Sequence, residues 1–175
     1  NVFVFSDANW AEDPTDRKSN TGYLVSANGG AASWCCRKQD CIAQSSCESE
    51  YVALNETAKE IVYLIGVCNG LDLKINLPVI IKTDSQSCIS MIANEKFSQR
   101  NKHIDLKYLY IRDQVAKGVV KLEYVPTDIN VADLMTKPLG SVKLSSLRRL
   151  AGLEEQPSTS TFESTDNVEE ECCDK

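Results

Sequence analysis

Four acidic residues stand where the sequence changes from one structural pattern to another, and acids in such places can do metal chemistry. Asp7 and Asp84 each close an apolar run of the kind that forms a buried strand. Glu50 opens a long helical pattern, and Asp133 lies just inside a later one. Carboxylates at strand ends and helix starts can meet at one edge of a sheet, where their mutual repulsion requires cations. The four positions therefore predict a magnesium site and phosphodiester chemistry.

Each of these acids, taken alone, also has an ordinary structural explanation. Asp7 could be a turn former, and Asp84 could cap the N-terminus of the helix that follows it. Asp133 could serve as the third-residue partner of a helix cap at Asn130. Their placement at the same end of one proposed sheet favours a shared site over four separate roles.

Glu48 and Glu50 compete for one position at the start of the long helix. They lie about 200° apart around a helix, so the two side chains cannot face the same site. Glu50 aligns with the apolar stripe of Leu54, Ile61 and Ile65. Glu48 falls nearer Asn55 and Lys59, on the expected wet face. Glu48 also fits a capping box with Ser45, in which the hydroxyl and the carboxylate satisfy backbone N–H groups. We therefore predict Glu50 as the site residue.

Oxygen-only ligands suit magnesium or manganese better than zinc. Two such ions about 4 Å apart can clamp the attacking and leaving oxygens of an in-line phosphoryl displacement, without a side-chain nucleophile. We expect no structural zinc, because the eight cysteines do not form CxxC pairs and His103 is the only histidine. Reduced, partly buried thiols are the simpler interpretation of the cysteines.

The elements that must position these acids can be predicted from apolar periodicity and turn signals. An Asn28-Gly29-Gly30 turn joins two of three early strands into an antiparallel meander. Helices between the later strands imply parallel additions to the same sheet. The predicted strands cover residues 1–6, 22–27, 31–35, 78–84 and 119–125, and the predicted helices cover 46–68, 85–93, 104–117, a short segment capped by Asn130, and 144–153.

Composition divides the chain into a folded body and an acidic tail. We predict one domain over residues 1–153 and a disordered tail over 154–175, which is too polar to form a core. The tail accounts for the acidity: the whole chain carries 25 acidic and 19 basic residues, but the tail alone holds eight acids and one base. The chain lacks an initial Met and resembles a piece of a polyprotein. No apolar run approaches the roughly 18 residues of a membrane span.

Eight ordered motifs carry a resemblance to a known family. They are Ser6-Asp7-Ala8-Asn9-Trp10-Ala11, Asp16-Arg17-Lys18-Ser19 with Thr21-Gly22-Tyr23, Ser33-Trp34 with Lys38-Gln39, Ser45-Ser46-Cys47-Glu48-Ser49-Glu50-Tyr51, Thr83-Asp84-Ser85-Gln86-Ser87, Lys102-His103-Ile104-Asp105, Tyr124-Val125-Pro126-Thr127, and Ala132-Asp133-Leu134-Met135-Thr136-Lys137-Pro138-Leu139. Through them the chain resembles, from about residue 3 to 153, the ribonuclease H domain of copia-type LTR-retrotransposon Pol polyproteins. It departs from the usual pattern at Asn9, Cys35-Cys36, Gln44 and Cys47, none of which is one of the four acids.

The resemblance implies a ribonuclease H-like α/β fold, a mixed five-stranded sheet flanked by helices. It implies that Asp7, Glu50, Asp84 and Asp133 are the catalytic and metal-binding acids, that two Mg²⁺ ions are the cofactor, with Mn²⁺ as an alternative, and that RNA paired to DNA is the substrate. The upstream reverse transcriptase region would be a partner. The setting would be intracellular, in a cytoplasmic virus-like particle or the nucleus, with no membrane involved.

A hybrid duplex is recognised through its shape, phosphates and 2′-hydroxyls, so basic and polar residues near the acids are candidate contacts. The basic candidates are Arg17, Lys18, Arg37, Lys38, Lys96, Arg100 and Lys102, and the polar ones are Ser19, Asn20, Gln86 and Ser87. His103 could assist proton transfer or product release, or it could simply cap or pack near the helix that follows it.

Two functions of different classes remain open from the sequence. The first is a magnesium-dependent endonuclease that cuts the RNA strand of RNA–DNA hybrids during reverse transcription. The second is an inactive, retrotransposon-derived remnant that binds nucleic acid or a protein. The four acids favour the enzyme, and the departures from the usual pattern keep the remnant as the alternative. Another nuclease of the same general fold is a third, less favoured possibility.

Overall fold

A computed structural model describes residues 2–94 and 109–153. Its centre is a mixed sheet of five strands: β1 (Val2–Ala8), β2 (Asn20–Ala27), β3 (Gly30–Lys38), β4 (Val79–Thr83) and β5 (Val120–Tyr124). The strands lie in the order β3-β2-β1-β4-β5, so the first strand of the chain is the middle strand of the sheet. This arrangement confirms the α/β fold class expected from the sequence.

The sheet combines two kinds of pairing, as the sequence predicts. Strands β1, β2 and β3 pair antiparallel, and Asn28 and Gly29 both take positive φ angles in the turn between β2 and β3. Strand β4 runs parallel to β1, with Phe3 opposite Ile80, and β5 runs parallel to β4. Parallel neighbours end at the same edge of a sheet, so the residues that follow β1 and β4 come together there.

Five helices accompany the sheet: α1 (Ser46–Gly70), α2 (Gln86–Ala93), α3 (Leu109–Ala116), α4 (Asp133–Thr136) and α5 (Ser141–Leu150). A short 3₁₀ helix, Thr127–Ile129, lies between β5 and α4. The predicted start of the third helix, at residue 104, lies outside the described residues. So does the predicted tail, residues 154–175.

Helix α1 begins with the cap that its sequence predicts, with one difference. The Ser45 hydroxyl accepts the N–H of Glu48 at 3.1 Å, and the Glu48 carboxylate reaches back. It accepts from the N–H of Gln44 at 2.7 Å, one residue earlier than the capping box requires. The expected wet face is confirmed only at Lys59, which is exposed, because Glu48 and Asn55 are both buried. The loop that precedes α1 folds over this end of the helix, which the periodicity alone does not reveal.

Helix α4 begins later than expected. Asn130 was predicted to cap it, which would make Asp133 the third helical residue, but Asp133 is its first residue and Ala132 precedes it. Asn130 instead braces the loop: its side-chain oxygen accepts the N–H of Ala132 at 3.3 Å, and its amide donates to the carbonyl of Ser6 at 3.2 Å. The fully buried Asn130 side chain thus ties this loop to β1.

Each face of the sheet carries its own apolar cluster. Val4, Val25 and Ile81 pack with Leu54 of α1 in the larger cluster. Because side chains alternate along a strand, Leu24 belongs to the smaller cluster, which contains Val131 and Ala151. Burial of these side chains removes apolar surface from water and holds the helices against the sheet.

No helix within the described residues is long and apolar enough to cross a membrane. None of the six cysteines that the structure describes forms a disulfide bond. Cys88 is fully buried, and its Sγ lies 3.6 Å from that of Cys47. The hydrogen bond from Cys88 lowers the pKa of the Cys47 thiol to about 6.

Candidate metal centre

Three of the predicted acids meet at the edge where β1 and β4 end. Asp7 lies near the end of β1, Asp84 directly follows β4, and Glu50 lies in the second turn of α1. One carboxylate oxygen from each lies within 4.8 Å of the others. Parallel pairing of β1 and β4 makes this convergence possible, and the packing of α1 on the sheet adds the third group.

Of the three acids, Glu50 lies in the least favourable environment for a charged carboxylate. Its side chain is only 9% exposed, and its Oε2 has no hydrogen-bond partner among residues 2–94 and 109–153. Burial raises the pKa of Glu50 well above its ordinary value, and the charges of Asp7 and Asp84 raise it further. The backbone N–H of Ala8 opposes this shift by donating to the carboxylate. A buried, unsatisfied oxygen between two other carboxylates is what a cation site requires.

Asp7 is fully buried, and both of its carboxylate oxygens are held. The Thr136 hydroxyl donates to one, and the Lys137 ammonium donates to the other at 3.1 Å. Burial raises the pKa of Asp7, while these two contacts act in the opposite direction. Contact with Thr136 depends on Gly22, which pairs with Asp7 across β1 and β2. A Cβ on Gly22 would lie 2.5 Å from the Thr136 methyl group, so only glycine lets α4 approach the sheet this closely.

Asp84 is the member of the cluster that directly follows a strand, and it is partly exposed. The hydroxyl of Thr127 donates to its Oδ2 at 2.7 Å, which orients the carboxylate from the 3₁₀ helix after β5. Asp84 does not cap α2, because Ser85 performs that role by accepting the N–H of Cys88 at 3.4 Å. One Asp84 carboxylate oxygen is also within 4.8 Å of oxygens from Asp7 and Glu50.

Asp133 stands apart from the three-carboxylate cluster. It is fully buried, and two ammonium groups hold its two oxygens: Lys137 at 2.7 Å and Lys143 at 2.6 Å. Lys137 also contacts Asp7, so its ammonium lies between two of the four acids. The structure therefore places Asp133 next to the cluster, yet neutralises it with lysines that belong to the chain.

The cluster fits a hard divalent cation. Three carboxylates offer oxygen ligands, and Glu50 Oε2 lacks any other partner within the described part of the chain. Mg²⁺ and Mn²⁺ prefer such ligands and leave room for water or phosphate oxygens. A cation here would also offset the burial and the carboxylate repulsion that raise the pKa of Glu50.

We expect Mg²⁺ to stabilise the protein against heat. At about 100 times its Kd, an ion that binds only the folded state adds roughly 2.7 kcal/mol, or about 5–10 °C for a chain of this size. Differential scanning fluorimetry with MgCl₂, against NaCl of equal ionic strength, measures this shift. Glu50→Gln should be more stable than the wild type without metal and respond less to Mg²⁺. An equal response in both proteins would remove Glu50 from the metal site.

Glu50 also determines whether the folding stability rises or falls with pH. Because the pKa of Glu50 is raised on folding, the folded protein holds its proton more tightly than the unfolded chain. Metal-free protein should therefore lose stability as pH rises from the ordinary Glu value, 4.5, through the raised folded value. Mg²⁺ should diminish this loss, because it replaces the proton as the neutralising group.

The residues predicted to contact the substrate differ in how exposed they are. Gln86 and Ser87 are exposed in the first turn of α2, two and three residues after Asp84. Arg17 is exposed, at a φ of 56°, and Lys18 is partly exposed. Ser19 is fully buried and its hydroxyl accepts the N–H of Ala11 at 3.1 Å, so it is not available to a substrate.

Two of the predicted basic contacts are already paired. Lys38 binds the carboxylates of Asp13 and Asp16, at 2.5 and 3.1 Å. Arg37 binds Glu56 at 2.7 Å. Asn20 takes part in a loop contact through its backbone N–H, which donates to the side chain of Asn9. The remaining candidates, Lys96, Arg100, Lys102 and His103, lie outside the described residues.

Several residues that shape the site were given no role of their own from the sequence, although all but Lys143 lie within the motifs quoted above. Thr127, Thr136 and Lys143 each contact an acid, and Lys137 contacts two. The four-residue spacing from Asp133 to Lys137 could have indicated an ion pair on one helix face. Nothing in the spacing could have indicated the contact between Lys137 and Asp7, which are 130 positions apart.

Asn9, a departure from the usual family pattern, supports the same region. Its amide donates to the Glu12 carboxylate at 2.9 Å and to the carbonyl of Thr136 at 3.3 Å. Nearby, the indole N–H of Trp10 donates to the carbonyl of Ala43 at 3.0 Å. The loop after β1 is thereby tied to α4 on one side and to the loop before α1 on the other.

Comparisons with known proteins agree on fold and origin. No protein-family model matches the chain. It is 38% identical over 149 residues to the retrovirus-related Pol polyprotein from transposon TNT 1-94 of Nicotiana tabacum, a match that covers 85% of this chain. It is 33% identical over 156 residues, 89% of the chain, to that from transposon RE2 of Arabidopsis thaliana. The chain spans 11% of the length of each relative.

Two solved structures show the same fold. The N-terminal RNase H domain of rv2228c from Mycobacterium tuberculosis superposes with a TM-score of 0.57, at 13% identity, over 86% of this chain and 97% of that one. LC11-RNase H1, solved in complex with an RNA/DNA hybrid, gives a TM-score of 0.56 at 13% identity, over 78% of this chain and 94% of that one. At such identities the likeness concerns the fold alone.

Proposed function

The chain is a ribonuclease H-like domain related to the retrovirus-related Pol polyproteins of transposons, and we propose that it cuts the RNA strand of RNA–DNA hybrids. One observation carries the proposal. Asp7, Glu50 and Asp84 bring their oxygens within 4.8 Å of one another at the edge of the sheet, in the fold of RNase H domains. A cluster of this kind is the donor set that a phosphodiesterase of the two-metal type uses.

Magnesium is the proposed cofactor, held by Asp7, Glu50 and Asp84, with Asp133 beside them. When bound, it would supply Lewis-acid stabilisation of the charge that develops on the phosphate oxygens. The protein's own groups prepare the site for it. Thr136 and Lys137 fix Asp7, the N–H of Ala8 orients Glu50, and Thr127 orients Asp84.

The exposed first turn of α2 is the proposed contact for the nucleic acid nearest the metal centre. Gln86 and Ser87 can donate to phosphate or 2′-hydroxyl oxygens, the groups through which proteins distinguish RNA from DNA. Arg17 and Lys18 supply positive charge on the loop before β2. Lys38 would have to leave Asp13 and Asp16 to contact a phosphate, so its contribution should be smaller. Arg100 and Lys102 remain proposed contacts from the sequence.

The relatives suggest a place for this activity. In a Pol polyprotein, the domain would degrade the RNA template during reverse transcription, next to a reverse transcriptase region, in an intracellular particle or the nucleus. The alternative is a retrotransposon-derived remnant that binds nucleic acid or protein without cleaving it.

A cleavage assay on the full chain tests the proposal. The protein would be given end-labelled RNA–DNA hybrid, matched double-stranded RNA and matched double-stranded DNA, each with MgCl₂ or with EDTA. We expect endonucleolytic RNA fragments from the hybrid with MgCl₂ and no products from the other combinations. Binding of the hybrid without cleavage would favour the remnant, and equal cleavage of all three substrates would reject the proposed specificity.

A further inference from the structure

Lys137 directly follows the four-residue helix α4, and its ammonium contacts two acids at once. Its Nζ lies 3.1 Å from Asp7 Oδ1 and 2.7 Å from Asp133 Oδ1. The remaining oxygens of these two acids are taken by the Thr136 hydroxyl and by Lys143. All four carboxylate oxygens of Asp7 and Asp133 therefore have partners from the chain itself. Glu50 differs, because its Oε2 has no hydrogen-bond partner among the described residues.

The charges of the centre balance with one metal ion. Four carboxylates carry four negative charges, and Lys137 and Lys143 neutralise two of them. One divalent cation at Asp7, Glu50 and Asp84 neutralises the other two. A second divalent cation between Asp7 and Asp133 would bring two excess positive charges into a largely buried region, where charge imbalance is costly.

The Lys137 side chain can nevertheless move. It is 30% exposed, whereas Asp7 and Asp133 are fully buried. Its backbone is anchored independently, because its N–H donates to the carbonyl of Asp133 at 3.1 Å. A lysine stem can swing its ammonium into water without unfolding the helix that carries it. The ammonium is thus a cation that the site holds but can release.

We propose that Lys137 is a resident cation of the metal centre, which takes the place of the second of two divalent ions. On this proposal, which rests on the metal site of the proposed function, the protein binds one divalent ion tightly through Asp7, Glu50 and Asp84. A second ion binds only by displacing the Lys137 ammonium from Asp7 and Asp133. Lys137 is accordingly a positioning residue that sets how many ions the free protein holds.

Counting bound ions tests this directly. Mn²⁺ would be titrated into the full chain without nucleic acid, and free Mn²⁺ would be measured by electron paramagnetic resonance. The wild type should bind one ion tightly and a second only weakly. Lys137→Met should bind its second ion at least about tenfold more tightly, because the competing charge has gone. Lys137→Arg should behave like the wild type, since it keeps the charge.

Controls separate this effect from a loss of structure. Lys121→Met makes the same change at an exposed pair with Glu123 on β5 and should leave both affinities unchanged. If Lys137→Met does not fold, Lys137→Gln removes the charge while keeping a polar group, and should show the same tighter second ion. Two tight ions in the wild type, or unchanged second-ion affinity in the neutral variants, would overturn the proposal.

The outcome is independent of the proposed nuclease activity. A protein that holds one tight ion, gains a second in Lys137→Met and cleaves no hybrid supports the role of Lys137 and rejects the function. A protein that cleaves hybrid but holds two tight ions supports the function and rejects this role. A wild type that binds no Mn²⁺ rejects both.

Discussion

Replacing Asp84 by asparagine should abolish cleavage of the hybrid while leaving the fold intact. The change removes one of the three charges that would hold the metal and keeps the shape of the side chain. Loss of a metal ligand costs several kcal/mol of transition-state stabilisation, so we expect a fall in rate of about 1,000-fold or more. Single-turnover cleavage of labelled hybrid with MgCl₂ measures it.

Stability should barely change in this variant. Asp84 is partly exposed, and its contact with Thr127 survives, because the asparagine oxygen can still accept from that hydroxyl. Asp72→Asn is the matched control: it alters an exposed acid after α1, at a φ of 56° that asparagine tolerates well. Cleavage by Asp84→Asn within a few-fold of the wild type would exclude Asp84 from catalysis. If neither wild type nor variant cleaves yet both bind the hybrid, the remnant alternative gains support.

Replacing Asp133 by asparagine should, unlike Asp84→Asn, greatly lower the stability of the protein. The change leaves two ammonium groups, Lys137 and Lys143, without the carboxylate that both contact. Fully buried pairs lose about 3–5 kcal/mol when one partner is removed. Since both lysines are about one-third exposed and can turn toward water, we expect roughly 2 kcal/mol. Urea unfolding followed by circular dichroism measures this free energy.

The chain offers a close control for this prediction. Asp113 and Lys117 form another ion pair four residues apart in and after a helix, at 2.6 Å, but both side chains are about half exposed. Asp113→Asn should therefore cost less than about 0.5 kcal/mol. If Asp133→Asn costs no more than Asp113→Asn, the lysines around Asp133 do not contribute to folding, and Asp133 would be better explained as a metal ligand alone.

Much of the centre could be predicted from local sequence because the local signals agree with the fold. Apolar runs ending at Asp7 and Asp84 indicated strands, and the connections between strands indicated that the later ones are parallel. The spacing of Glu48 and Glu50 indicated that the two acids cannot face the same site, and Glu50 is the one that lies beside Asp7 and Asp84. These are short-range patterns, and the sheet then brings their ends together.

What could not be predicted depends on contacts between distant segments. Glu48 was expected to face water, yet it is buried because the loop before α1 folds back and Gln44 donates to its carboxylate. Asp133 was predicted as a fourth metal ligand, which stays a prediction, and the contacts of its carboxylate with lysines from α5 and from the end of α4 were not expected. Periodicity describes which side of a helix is apolar, and it does not describe which loop or lysine will cover that side.

The position of β1 in the middle of the sheet has a consequence for protein synthesis. During translation β1 can pair with β2 soon after both are made, but β4, its other neighbour in the sheet, is made more than 50 residues after β2. Asp7 gains its side-chain partners only when Thr136 and Lys137 have been made, 129 and 130 positions later. A chain that stops short of this point would contain Asp7, Glu50 and Asp84 but leave Asp7 without its two partners. Translation through Lys137 therefore supplies the last partner of Asp7, and Lys143 completes the contacts of Asp133 six residues later.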